Sequence, residues 1–129
     1  ELVDPSLALL EDSGAHVVWL SPIPIEDAEE SEFVQELGAD FLASVEATTD
    51  AEWLDVRPAI APDGFAGELD GIRVRRSDGI HLCPAGQVLV AGVVLDRLQE
   101  LDPTLAPAEG WDDPDETCGP YDPAVTGEN

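Results

Sequence analysis

The stretch Gly14-Ala15-His16-Val17-Val18-Trp19-Leu20-Ser21-Pro22-Ile23-Pro24 decides the fold. Val17 to Leu20 form an unbroken apolar run, β-branched and aromatic, closed by Ser21-Pro22. A strand that does not alternate polar with apolar residues is buried on both faces, as in a parallel sheet covered by helices. Upstream, Leu2 to Ser13 reads as a helix. Asp4 is its expected N-cap, Pro5 suits its first turn, Val3, Leu7 and Leu10 give it an apolar stripe, and Gly14 ends it. Downstream, residues 27–47 return to helical period, with Phe33, Leu37, Phe41 and Val45 recurring every fourth position and acids on the other face. Trp53 to Val56 reads as a second strand, and the Gly-, Pro- and Asp-rich residues 57–80 as an ordered loop. Pro84 opens a helix to about Leu101 that is apolar over most of its girth and is expected to be largely buried.

Helix, strand, helix, strand, loop, helix is the rhythm of an α/β layer structure. Two parallel strands cannot bury the faces of three helices, so further strands are expected outside this chain. Residues 1–101 therefore read as the C-terminal part of a larger α/β domain. Residues 102–129, with five prolines and no periodicity, read as an acidic, irregular tail.

The chain has 129 residues, with 29 Asp and Glu against 5 Arg and Lys, and a net charge of −24. That length suits one domain. The charge repels phosphate, which argues against nucleic acid as a partner. All five cations are arginines, so lysine Schiff-base and P-loop chemistry are excluded. No apolar run approaches the roughly 20 residues that span a bilayer. With no Met, the chain is expected to belong to a longer reading frame, any signal peptide lying outside it or removed. Residues 26–55 carry eleven acids and no base. Such a face is either solvated surface or a docking surface for a basic partner. Arg73, Arg75 and Arg76 either neutralise neighbouring acids or place positive charge beside a site at residues 78–81.

That site is Asp78-Gly79-Ile80-His81, just ahead of the last helix. A carboxylate three residues before an imidazole, with a glycine between, can turn back to accept the Nδ1 hydrogen. The tautomer is then fixed, and Nε2 is left to act as general base. His16, the other histidine, begins a strand and reads as packing or solvent-facing.

Ser77-Asp78-Gly79-Ile80-His81-Leu82-Cys83-Pro84-Ala85-Gly86, followed by an apolar helix, resembles the last sequence block of the SGNH (GDSL-type) hydrolases, usually Asp-Gly-x-His-x-x-Pro-x-Gly. Residues 14–24 are similar to that family's penultimate strand and Trp53 to Val56 to its last. The tail Gly110-Trp111-Asp112-Asp113-Pro114-Asp115, with Cys118, is similar to the ends of extracellular SGNH domains fused to membrane acyltransferases. The resemblance implies a three-layer α/β/α, flavodoxin-like fold, of which this chain supplies the last two parallel strands and three helices. It implies His81 as general base, Asp78 as its orienting carboxylate, an ester hydrolase or acyl-transfer activity, an extracellular or cell-surface location and no cofactor. O-acyl groups of cell-envelope glycans are the substrate by the same analogy.

The departures are as informative. The family's Gly-Asp-Ser nucleophile block does not occur here. Asp12-Ser13-Gly14 shares letters with it, but at a helix end before a strand. Ser21 ends a strand without a nucleophile elbow, and Ser77 reads as a loop-shaping residue. Asn129, the last residue, is the only Asn, so the family's oxyanion Asn is absent. The nucleophile and oxyanion donors are thus expected from an N-terminal half or a companion chain. The alternative is a non-catalytic acidic binding or assembly module of the same fold.

Cys83 and Cys118 are either two buried thiols or a disulfide tying the tail back, worth ~3–4 kcal/mol in the chain-entropy model. Cys83, followed by Pro84, is a poor candidate nucleophile. The tail acids Asp112, Asp113, Asp115, Glu116 and Asp122 offer oxygen ligands for Ca²⁺ but lack EF-hand spacing, so a solvated tail is expected.

Overall fold

The structure, a computed structural model, describes residues 3–48, 50–113 and 118. Its first half is a β-α-β unit. Strand β1 (Val17–Leu20) and strand β2 (Ala51–Leu54) pair in parallel, with Val17 opposite Ala51 and Trp19 opposite Trp53. Between them runs helix α2 (Ala28–Glu46), capped by Asp27, whose Oδ1 accepts from the Glu30 amide at 2.9 Å. A short helix α1 (Val3–Asp12) precedes β1. The helix begins at Val3, so Asp4, the expected N-cap, lies within its first turn and not ahead of it.

Alternation along the strands sorts their side chains. Val17, Trp19, Ala51 and Trp53 face α1 and α2, packing on Leu7 and Val45. The Trp19 and Phe41 rings meet edge to face, centroids 5.6 Å apart. Glu52 points to the opposite face and is held by Arg97, with Nε–Oε1 at 2.8 Å and Nη2–Oε2 at 2.6 Å. Arg97 lies on helix α4 (Pro84–Leu101), so helices stand on both sides of the sheet.

The second strand pairs two residues earlier than Trp53 to Val56, the stretch expected from sequence. The loop after it has internal structure: helix α3 (Arg57–Ile60) and an antiparallel hairpin of β3 (Glu68–Leu69) and β4 (Ile72–Arg73). Asp70 and Gly71 turn that hairpin with φ of 52° and 79°. Ile60, Ala61 and Val74 form a second apolar cluster, joined by Ile23, Leu69, Leu82 and Val90. The described residues thus make a small mixed α/β domain with two small sheets and four helices.

Two burial expectations fail. Gly86 is the one buried residue of α4, and Leu89 and Leu101 are exposed. On α2 the apolar stripe is covered only in its C-terminal half, where Phe41 and Val45 pack. Phe33 is 65% exposed and Leu37 40%. A two-stranded sheet has too little area to cover these helices. Among the described residues no helix is long and apolar enough to cross a membrane.

Candidate functional site

The sequence pair is brought together. His81 Nδ1 lies 2.7 Å from Asp78 Oδ2. The other carboxylate oxygen, Oδ1, accepts the backbone N–H groups of Ile80 and His81, each at 2.9 Å. One aspartate therefore closes its own turn and orients the imidazole. Burial works against ionisation of Asp78, yet the hydrogen bonds from the His81 ring and the two amides hold its carboxyl at about 2. With the carboxylate ionised, Nδ1 is the donor, and in the neutral ring the lone pair is then on Nε2. The His81 side chain is 72% exposed, and no described residue hydrogen-bonds Nε2.

Each motif residue has a physical task. Gly79 sits at φ 68°, where a side chain is strained, and a Cβ there would lie 2.4 Å from Glu26 Cβ. Its carbonyl accepts from the Glu26 amide at 3.0 Å, so the turn lies flat against the segment leaving β1. Pro84 occupies the first turn of α4, where its missing N–H costs nothing. A Cβ on Gly86 would stand 2.3 Å from the Val74 carbonyl oxygen, so only glycine lets α4 approach the backbone that follows β4.

Arg75 locks the turn from below. It is fully buried, and Nη1 donates to the Ile80 carbonyl while Nη2 donates to the Pro24 carbonyl, both at 2.8 Å. Its guanidinium carbon lies 5.6 Å from the Phe65 ring centroid. Burial pushes the Arg75 pKa down from its ordinary value, and the nearby Asp78 charge opposes that. Sequence reading missed this role. Ile72-Arg73-Val74-Arg75 alternates as though both arginines faced water, yet Val74 and Arg75 are both buried.

Because residues 24–26 follow β1, the Asp78–His81 turn lies at the C-terminal end of the parallel strands, where open α/β sheets place ligands. Ser21 and Asp55 stand at the same end. The Ser21 hydroxyl donates to Asp55 Oδ1 and accepts from the Val56 amide, both at 3.0 Å, so it prolongs the sheet ladder between the two strands. Arg57 grips Asp55 through Nε at 2.8 Å and Nη2 at 2.7 Å and holds its carboxyl at about 2. Ser21 is thus a structural residue without an imidazole partner. The Ser77 hydroxyl accepts from Arg73 at 2.6 Å, and the Ser13 hydroxyl donates to the Leu10 carbonyl at 2.6 Å at the opposite end of the sheet. His16, also at that far end, lies 3.4 Å from Glu52 and belongs to the Glu52–Arg97 pair.

Cys83 and Cys118 form a disulfide, which removes Cys83 as a nucleophile. Among the described residues no three His, Cys, Asp or Glu are grouped to hold a metal ion. Of the tail acids, Asp115, Glu116 and Asp122 lie outside the described residues. A cavity of ≈ 880 Å³ is lined by Leu69, Val74, Cys83, Val88 and Leu89 among others, and neither Asp78 nor His81 borders it.

The paired imidazole and carboxylate, at the C-terminal end of a parallel sheet in a mixed α/β domain, fall within a known family. The chain belongs to the family described as "Protein of unknown function (DUF459)", whose model matches residues 1–97 and so includes the Asp78–His81 turn. No curated protein and no solved structure matches the chain.

Proposed function

We propose that this chain is the C-terminal part of an SGNH-type ester hydrolase or acyl-transfer domain. The observation that carries the reading is the Nδ1–Oδ2 contact of 2.7 Å beside an unengaged, solvent-facing Nε2. A serine supplied from outside these residues attacks the acyl carbonyl as Nε2 takes its proton. The resulting imidazolium is stabilised by ionised Asp78 and returns the proton to the leaving alkoxide. Water or an acceptor alcohol then resolves the acyl-enzyme by the reverse proton path. The nucleophile and oxyanion donors come from the N-terminal half of the domain or from a companion chain. O-acyl groups of a cell-envelope glycan are the substrate class by analogy, which would place the protein outside the cell.

The competing reading is an acidic binding module. It draws support from Ser21, whose hydroxyl is committed to Asp55, and from the exposed acids Glu29, Glu30, Glu32, Glu36 and Asp40 on α2. The two readings separate in one experiment on the native, full-length protein: intact mass, then labelling with a fluorophosphonate serine probe. Labelling that disappears in His81→Ala supports the hydrolase. A native mass equal to these 129 residues, with no labelling, overturns it and leaves the binding module.

A further inference from the structure

Four of the five arginines are committed. Arg57 is held by Asp55, and Arg97 by Glu52 and Glu100. Arg73 spends its donors on the Arg75 carbonyl, the Ser77 hydroxyl and the Cys118 carbonyl. Arg75 is buried on two carbonyls. Arg76 differs: its side chain is exposed and has no hydrogen bond or ion pair among the described residues. With 29 acids on the chain, an arginine left without one is unexpected. Nor is its charge spent on Asp78, which is held down by His81 and two amides.

Its position is specific. Arg75 and Leu82 form an antiparallel bridge, and the Arg76 amide donates to the His81 carbonyl at 2.8 Å. Arg76 and His81 are therefore the next cross-strand pair, closing the turn that contains Asp78. Both are exposed, whereas Arg75 is buried. Residues directly opposed across an antiparallel ladder carry Cβ atoms about 4.5–5.5 Å apart, within reach of a long side chain. The backbone thus ties an exposed, long cationic side chain directly to the residue that carries the exposed imidazole.

Resting on the reading of His81 as general base, we propose that Arg76 is a specificity-determining residue. It receives an anionic group, such as a carboxylate, carried by the ester close to its scissile bond. On a chain with a net charge of −24 an anionic substrate is otherwise repelled, and one uncommitted guanidinium beside the base offsets that locally. The carboxylate can sit on the acyl or on the alcohol side, and paired substrates tell these apart.

The test uses the full-length protein and kcat/KM for two pairs. Mono-p-nitrophenyl succinate against p-nitrophenyl acetate places the charge on the acyl side. 4-Acetoxybenzoate against phenyl acetate places it on the alcohol side. In Arg76→Ala the anionic-to-neutral ratio falls about fivefold for one pair, the size of a partly exposed ion pair, chiefly through KM. Arg76→Glu lowers it further, and Arg76→Lys restores most of it. Ratios unmoved in Arg76→Ala, with turnover still lost in His81→Ala, overturn the assignment of Arg76 and leave the hydrolase reading standing. Turnover indifferent to His81→Ala overturns both.

Discussion

Gly79→Ala tests whether the candidate site depends on one close contact. The new methyl would lie 2.4 Å from Glu26 Cβ and 2.5 Å from Glu26 Oε2. The carboxylate end can swing aside, but Cβ is fixed to the backbone and cannot. The turn must therefore lift, which breaks the 3.0 Å bond from the Glu26 amide to the Gly79 carbonyl, at a cost of about 1 kcal/mol. Holding a non-glycine residue at φ 68° adds about 1–2 kcal/mol. The expected loss is about 2–3 kcal/mol, read as a lower urea midpoint at unchanged slope. The lifted turn also weakens the Asp78–His81 bond, which the His81 Nδ1 proton resonance reports. Glu26→Gly removes the obstructing Cβ but leaves the backbone strain. In that background Gly79→Ala should cost only about 1–2 kcal/mol, so the double-mutant cycle shows a coupling of about 1 kcal/mol. A Gly79→Ala protein within 0.5 kcal/mol of wild type, or a loss equally large without Glu26 Cβ, would refute the reasoning.

Reducing Cys83–Cys118, or replacing both by Ser, frees a loop spanning 35 positions and is expected to cost up to about 4 kcal/mol in the chain-entropy model, measured by thermal or urea unfolding with and without reductant. Carboxyl NMR titration should find Asp55 and Asp78 ionising at about 2 rather than at the ordinary 3.8. Both values are depressed on folding. Their stabilisation is therefore complete above about pH 4 and lost as pH falls through about 2, and an unfolding midpoint flat across that window contradicts it. Ser21→Ala strips the buried Val56 amide of its acceptor and should cost about 1–3 kcal/mol while leaving fluorophosphonate labelling unchanged. Loss of labelling with full stability would restore Ser21 as a nucleophile.

The elements that sequence reading located best are those with local signals. Pro84 at a first turn and an apolar run to Leu101 gave the last helix its observed bounds, and Asp27 capped α2 as its chemistry favours. Elements fixed by distant partners were harder. β2 was read two residues late because Glu52 interrupts its apolar run, and the arginine that neutralises Glu52 comes 45 residues later. The β3–β4 hairpin was missed although its signal was present: Asp70-Gly71 between Leu69 and Ile72 is the residue pair that tight two-residue hairpin turns prefer. Asp78 and His81 were legible because their geometry is set within one turn. Arg75 was not, since nothing in its neighbours says that the carbonyls of Ile80 and Pro24 will enclose it.

The pattern of exposure bears on the proposed reading of Asp78 and His81 as part of a larger site. Leu20 at the end of β1, Leu9 on α1 and Phe33 and Leu37 on α2 are all exposed, while Leu7 and Val45 on the same two helices are buried. Burying a side chain of this size is worth about 1.5–3 kcal/mol, so leaving four uncovered is a large forfeit for a small domain. Additional parallel strands beside β1 would extend the sheet, and on the proposed reading the first of them ends in the nucleophile. The apolar deficit and the chemical deficit then have one remedy, because the segment that covers the helices also brings a serine to the end of the sheet where His81 waits. An acidic binding module has no such link. Its partner would need basic groups for α2, and covering Leu20 and Phe33 would do nothing for His81.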